Sequence, residues 1–155
     1  VTGPDLQQLL EGLERTRDET LQYFNLSAED LAKSSAPGKW SVRWILHHLS
    51  DAETVLYERI RRVISEPRQV IWAFDQDAWA EALGYEDRPL ELSRAIYAAV
   101  RAGILHEARL HYEDSGHREL VHSRTGVRTL KDELDKVAWH NEKHLEQIRR
   151  ALAAV

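Results

Sequence analysis

Ser41-Val42-Arg43-Trp44-Ile45-Leu46-His47-His48-Leu49-Ser50-Asp51-Ala52-Glu53-Thr54-Val55-Leu56-Tyr57-Glu58-Arg59-Ile60-Arg61-Arg62-Val63-Ile64 is the stretch whose reading decides the fold. Val42, Ile45, Leu46, Leu49, Leu56, Ile60, Val63 and Ile64 recur at the spacing that gathers side chains on one face of a helix. Ser41 offers a hydroxyl to the free N–H groups at the start, and Pro67, which lacks an N–H, stops the run. A rod this long with one apolar stripe is stable only when other rods cover the stripe.

Those other rods lie on both sides of it. Toward the N-terminus, Ser27 with Asp30 reads as the capping box of a short helical turn that ends before Pro37-Gly38. Before that turn, Leu6, Leu9, Leu10, Leu13, Leu21 and Phe24 predict a first helix over about residues 4 to 25. Toward the C-terminus the periodicity breaks between Pro67 and Pro89. There Asp75-Gln76-Asp77-Ala78-Trp79-Ala80-Glu81-Ala82-Leu83-Gly84 reads as a short helix with an N-cap and a terminating glycine, inside a long crossover of the kind that links parallel neighbours in a bundle. Pro89 opens a third long helix through Leu92, Ile96, Val100, Ile104 and Leu105, which fades near Asp114-Ser115-Gly116. Ser123-Arg124-Thr125-Gly126 is a turn joining two short extended pieces, and Thr129 with Asp132 caps a fourth helix running to about residue 153. Four long helices, one crossover and no strand ladder predict an all-α four-helix bundle forming a single domain over residues 1–155.

Composition narrows the chemistry. The chain has no cysteine, so a transition metal has to be held by His, Asp or Glu, and no protein thiol acts as nucleophile. A net charge of −5 argues against a protein that binds by cancelling phosphate charge, so nucleic acid is not an expected partner. Val1-Thr2-Gly3-Pro4-Asp5 carries no basic region followed by an apolar run, and no stretch approaches the ~18 apolar residues of a membrane span. The expectation is a cytoplasmic protein with a small-molecule substrate, no membrane partner and a possible homodimeric state.

His140 and His144, one turn apart in Trp139-His140-Asn141-Glu142-Lys143-His144, project from one helix face, where two imidazoles can reach one ion. On a wheel of about 100° per residue they fall about 60 to 100° from the apolar stripe of Leu130, Leu134, Val137, Asn141, Leu145, Ile148 and Leu152. On the second helix His48 lies about 100° from the stripe and His47 about 160°, nearly opposite the core, so His48 is the better candidate for pointing inward at a flank. Asp51 is a candidate acceptor for the second N–H of His48. Asn141, in the middle of an apolar stripe, has to be hydrogen-bonded and either orients a ligand or locks the helix register. Glu133, two turns before His140, and Asp51 are candidate bases, each reading first as a surface carboxylate. Trp44, Arg59 and Trp79 are candidate pocket residues. Arg59 shares the flank of His48 and is suited to a thiol or carboxylate substrate, although Arg59, Arg61 and Arg62 together read as a solvated face. His106 and His111 read as structural or solvent-facing, His117 and His122 as loop residues, and no catalytic residue beyond the ligands emerges.

The segment Gly38-Lys39-Trp40-Ser41 through Ala52-Glu53, together with Trp139-His140-Asn141-Glu142-Lys143-His144-Leu145-Glu146-Gln147-Ile148, resembles the paired motifs of the DinB/YfiT-like superfamily. Phe74-Asp75-Gln76-Asp77-Ala78-Trp79 resembles its YfiT branch, so the likeness covers nearly the whole chain. The resemblance implies a four-helix bundle holding zinc or nickel through one histidine of the first motif and two of the second, here His48, His140 and His144. The family's name refers to induction by DNA damage, a matter of expression rather than chemistry. Members include transferases and isomerases that use bacillithiol, mycothiol or glutathione, and others described as metal-dependent hydrolases. The resemblance therefore implies a metal-dependent enzyme that activates a low-molecular-weight thiol for S-transfer to an electrophile. The alternatives are hydrolysis by metal-activated water, and a stress-response protein that binds metal or a small ligand without turnover.

Overall fold

The computed structural model describes residues 4–154, and the reading of Val1 to Gly3 lies outside them. Four long helices form the frame: α1 (Pro4–Tyr23), α3 (Val42–Ser65), α5 (Leu90–Ser115) and α6 (Leu130–Ala153). Two short ones, α2 (Ala28–Leu31) and α4 (Gln76–Ala82), lie in the connections.

Local chemistry sets these boundaries. The Ser41 hydroxyl accepts from the Trp44 N–H at 3.2 Å to open α3, and an Asp75 oxygen accepts from the N–H groups of Asp77 and Ala78 to open α4. At α6 the capping box is complete: Asp132 N–H donates to the Thr129 hydroxyl at 3.1 Å, and Thr129 N–H donates to the Asp132 carboxylate at 2.9 Å.

Side-chain contacts fix the topology. His47 meets Ser93, Glu53 meets Arg101 and Tyr57 lies against Gly103, so numbers rise together and α3 runs parallel to α5. Likewise Gly12 faces Ala138, Arg15 pairs with Glu142 and Glu19 with Arg149, which makes α1 parallel to α6. The long crossover is what lets α3 and α5 be parallel neighbours, as its length implies.

The expectation of no strand ladder is corrected. Val70–Ile71 (β1), Glu119–His122 (β2) and Gly126–Thr129 (β3) form a three-stranded sheet in that order, β1 parallel to β2 and β2 antiparallel to β3. Only β2 and β3 are joined by the turn visible in the sequence. The two residues of β1 arrive from the crossover, too short a segment to show alternation. Ile71 and Leu120 turn inward from the sheet and join Leu6, Leu9, Leu13, Leu56, Ile60 and Leu134 in one apolar cluster.

A second cluster gathers Phe24, Val42, Ile45, Leu46, Leu49, Leu145 and Ile148. A buried polar network lies in the same interior. Arg101, fully buried, uses all five of its N–H donors: two bonds to Glu53 at 3.0 and 2.6 Å, one to the Leu13 carbonyl, one to the Thr16 hydroxyl and one to Asn141 Oδ1. Tyr97 also donates to Asn141 Oδ1, and Asn141 Nδ2 donates to Thr20. Of its two sequence roles, Asn141 thus performs the locking of helix register. Among the described residues no helix is long and apolar enough to cross a membrane.

Candidate metal centre

His48 from α3 and His140 and His144 from α6 meet at the seam between their helices. Each offers one ring nitrogen, and these three atoms lie within 4.8 Å of one another. Nε2 of His48 and Nε2 of His140 are 3.2 Å apart. Two nitrogens bound to a tetrahedral ion at 2.0–2.1 Å stand roughly 3.3 Å apart, so the residues fit a small divalent cation without rearrangement of the backbone. Ring centroids separated by 5.2, 4.6 and 4.6 Å, all in edge-on arrangement, close the triangle.

Burial keeps these imidazoles neutral, the form that ligates. It drives the pKa of His48 down to about 3 and that of His140 to about 2, with the nearby His144 adding to both shifts, and it lowers His144 as well. His144 Nδ1 lies 3.1 Å from the Gln147 side-chain oxygen, so that nitrogen carries the proton and Nε2 keeps its lone pair. Gln147 is a site residue missed in the sequence reading. Its signal was its place on α6, one turn beyond the second histidine.

The ring of His48 is enclosed by Trp40 at 5.2 Å and Phe74 at 6.3 Å, while its buried Nδ1 has no hydrogen-bond partner among the described residues. The expected acceptor, Asp51, is engaged elsewhere: its oxygens accept from Tyr85 at 2.6 Å and from both terminal nitrogens of Arg88, at 2.9 and 2.7 Å. Asp51 therefore ties the crossover to α3. His47 is fully buried rather than opposite the core, because α5 and the crossover cover its face: its Nδ1 meets the Ser93 hydroxyl on α5 at 2.7 Å and its ring packs on Tyr85 of the crossover.

The remaining candidates are placed away from the three nitrogens. Glu133 is not a surface carboxylate: it is fully buried and accepts from Arg128 Nε at 2.7 Å. Arg59 is buried too, not solvated, and donates to the Trp72 carbonyl at 2.7 Å. Arg59 and Trp79 line a cavity of ≈ 520 Å³ that contains none of the three histidines, and Trp79 packs at 4.9 Å on Phe74, which stacks on His48. Trp44 borders a different cavity and donates to Glu86 at 3.2 Å. His122, read as a loop residue, is buried on β2, where Nδ1 accepts from the backbone of Arg124 and Thr125.

A cavity borders the centre at His144. Its volume is ≈ 270 Å³, with His144 and Gln147 on one wall, Gly38, Lys39 and Trp40 on another, and Gln76 and Asp77 on a third.

The chain is similar to proteins of known kinship. A 27% identical protein of Oceanobacillus iheyensis, named provisionally as a metal-dependent hydrolase, matches over 99% of this chain and 88% of its own length. A second protein of that organism with the same provisional name is 30% identical over 81% of this chain and 72% of its own. The solved structure of YfiT from Bacillus subtilis, described as a probable metal-dependent hydrolase with an unusual four-helix bundle topology, superimposes with a TM-score of 0.86 at 22% identity. It covers 96% of this chain and 86% of that one, so the bundle architecture is shared. The model of the DinB superfamily matches residues 12–148, and with the pairing of α3 and α6 across three histidines the chain belongs to the DinB superfamily.

Proposed function

We propose that the chain is a metal-dependent enzyme in which His48, His140 and His144 would hold a zinc or nickel ion whose charge would favour the anion of a small thiol, for S-transfer to an electrophile. The convergence of three neutral imidazole nitrogens within 4.8 Å carries this reading. Three neutral ligands would leave a bound ion its full charge and room for a substrate atom, the form of a catalytic rather than a closed structural site. A divalent ion held there supplies Lewis acidity, favouring the anion of a thiol or water that reaches it.

The commitments of three buried carboxylates favour thiol over water. Asp51 is held by Tyr85 and Arg88, Glu53 by Arg101 and Glu133 by Arg128, so each is committed to a cation. These three are therefore poorly placed to act as a general base for water. A thiol, with an ordinary pKa of about 8.5, needs far less help to ionise near neutrality than water does. In the transfer, the thiol proton leaves to solvent, the S–C bond forms, and the leaving group departs with its electron pair. Trp40 and Phe74 keep water from the His48 side. Hydrolysis is the second reading, favoured by the names of the relatives.

The test uses protein purified without a histidine tag. Metal content is measured, then conjugation of bacillithiol, mycothiol or glutathione to monochlorobimane and hydrolysis of p-nitrophenyl acetate, each with and without chelator. Thiol conjugation that is lost with chelator and reduced at least about 100-fold in His140→Ala supports S-transfer. Chelator-sensitive ester hydrolysis alone points to the second reading. Bound metal with neither reaction points to a binding protein. Conjugation undiminished in His140→Ala overturns the mechanism.

A further inference from the structure

The cavity at His144 carries two unlike charges that nothing in the centre uses. Lys39 stands on one wall and Asp77 on another, and neither side chain is paired with the other or with any described residue. Trp40 lines the same cavity, and its ring also packs against His48 at 5.2 Å, so one aromatic surface joins the cavity to the three histidines. A ring face attracts a cation, and Asp77 adds a counter-charge, whereas Lys39 suits a carboxylate.

The backbone that carries these groups is fixed, while the side chains of Lys39 and Asp77 are exposed. The loop bearing Lys39 and Trp40 is closed at its base by the Ser34–Ser41 bridge and by the Val42 N–H bond to the Lys33 carbonyl at 2.9 Å. Gly38 turns it with a φ of 79°, a conformation that residues with a side chain rarely adopt. Asp77 sits in the first turn of α4, which is fixed by the Asp75 cap. A volume of ≈ 270 Å³ lies just below the range of roughly 300–1,000 Å³ that takes drug-sized ligands, so the occupant is a small molecule or one end of one.

We infer that this cavity seats an amino-acid-like zwitterion, its carboxylate toward Lys39 and its ammonium between Trp40 and Asp77, presenting its reactive end to the ion-binding histidines. The inference rests on the metal–thiol reading for the sulfur only; the recognition of charge is separate from it.

Three small thiols distinguish the two. The zinc-loaded protein is titrated calorimetrically at pH 7.5 with L-cysteine, with cysteamine, which lacks the carboxylate, and with 3-mercaptopropionate, which lacks the amine. Zinc content is measured after each titration to show that the ion stays bound. L-Cysteine is expected to bind about fivefold tighter than either, the scale of one exposed charge contact. Lys39→Ala should abolish its advantage over cysteamine and leave cysteamine unchanged. Asp77→Asn should abolish its advantage over 3-mercaptopropionate and leave that thiol unchanged. Equal binding of all three thiols, or uniform weakening of all three by either variant, overturns the zwitterion site and leaves the metal–thiol reading standing. Binding of none, with zinc retained, overturns the metal–thiol reading itself.

Discussion

At the scale of single residues, what matters is which face of a helix each histidine occupies and what covers that face. Helical spacing preferred His48 to His47, and it is the His48 ring that meets His140 and His144, because the angle from the apolar stripe is a local property. It misplaced His47, which is as buried as His48, because Ser93 and Tyr85 come from distant segments to cover it. The burial has a pH signature. In the ion-free protein the folded state holds His47, His48 and His140 neutral, with pKa values pushed down to about 4, 3 and 2 chiefly by burial, while the unfolded chain protonates them near pH 6.5. The unfolded state thus binds more protons below about pH 6.5, and stability must fall as pH drops through that value toward the folded pKa values. Above it these groups contribute no pH dependence. Urea denaturation of chelator-treated protein should give a level midpoint from pH 8 to 7 and a falling one from pH 6.5 to 5. A midpoint level across the whole range would show that these rings charge as readily folded as unfolded.

At the scale of elements, the caps and stops of the helices were legible because each is a matter of a few adjacent residues. Ser41, Asp75 and Thr129 cap the helices expected of them. The buried network was not legible, since an arginine within a helix reads as a solvated residue until its partners are known. Arg101 draws those partners from α1, α3 and α6: Leu13 and Thr16, Glu53, and Asn141 beside His140. Taking away one member strands a charge in the interior. Glu53→Ala should lower the unfolding free energy by about 3–5 kcal/mol, whereas the double variant Glu53→Met with Arg101→Met should recover most of it. Chemical denaturation of the three proteins checks this, and a double variant no more stable than the single one would argue that the network is needed for more than cancelling its own charge.

At the scale of the whole molecule, an ion at the three histidines would join α3 to α6 across 92 positions of sequence, fastening the seam opposite the α1 and α5 contacts. Binding to the folded state alone stabilises it by about 2.7 kcal/mol at free metal 100-fold above Kd. For a chain of this length that corresponds to a rise in Tm of about 5–10 °C. Calorimetry with zinc should show the rise, chelator should reverse it, and His48→Ala should lack it. A wild-type Tm indifferent to zinc would contradict a resident metal. The sequence by itself determined the four helices, their ends, the length of the crossover and the histidines that share a face, because periodicity, capping and chain length act over a few turns. Only the tertiary structure decided the sheet, the commitment of Asp51, Glu53 and Glu133 to arginines, the burial of His47 and Arg59, and the cavity where Lys39 and Asp77 face His144. Each of these depends on segments far apart in the chain being brought together by burial of the apolar stripes, and no local pattern records which partner arrives.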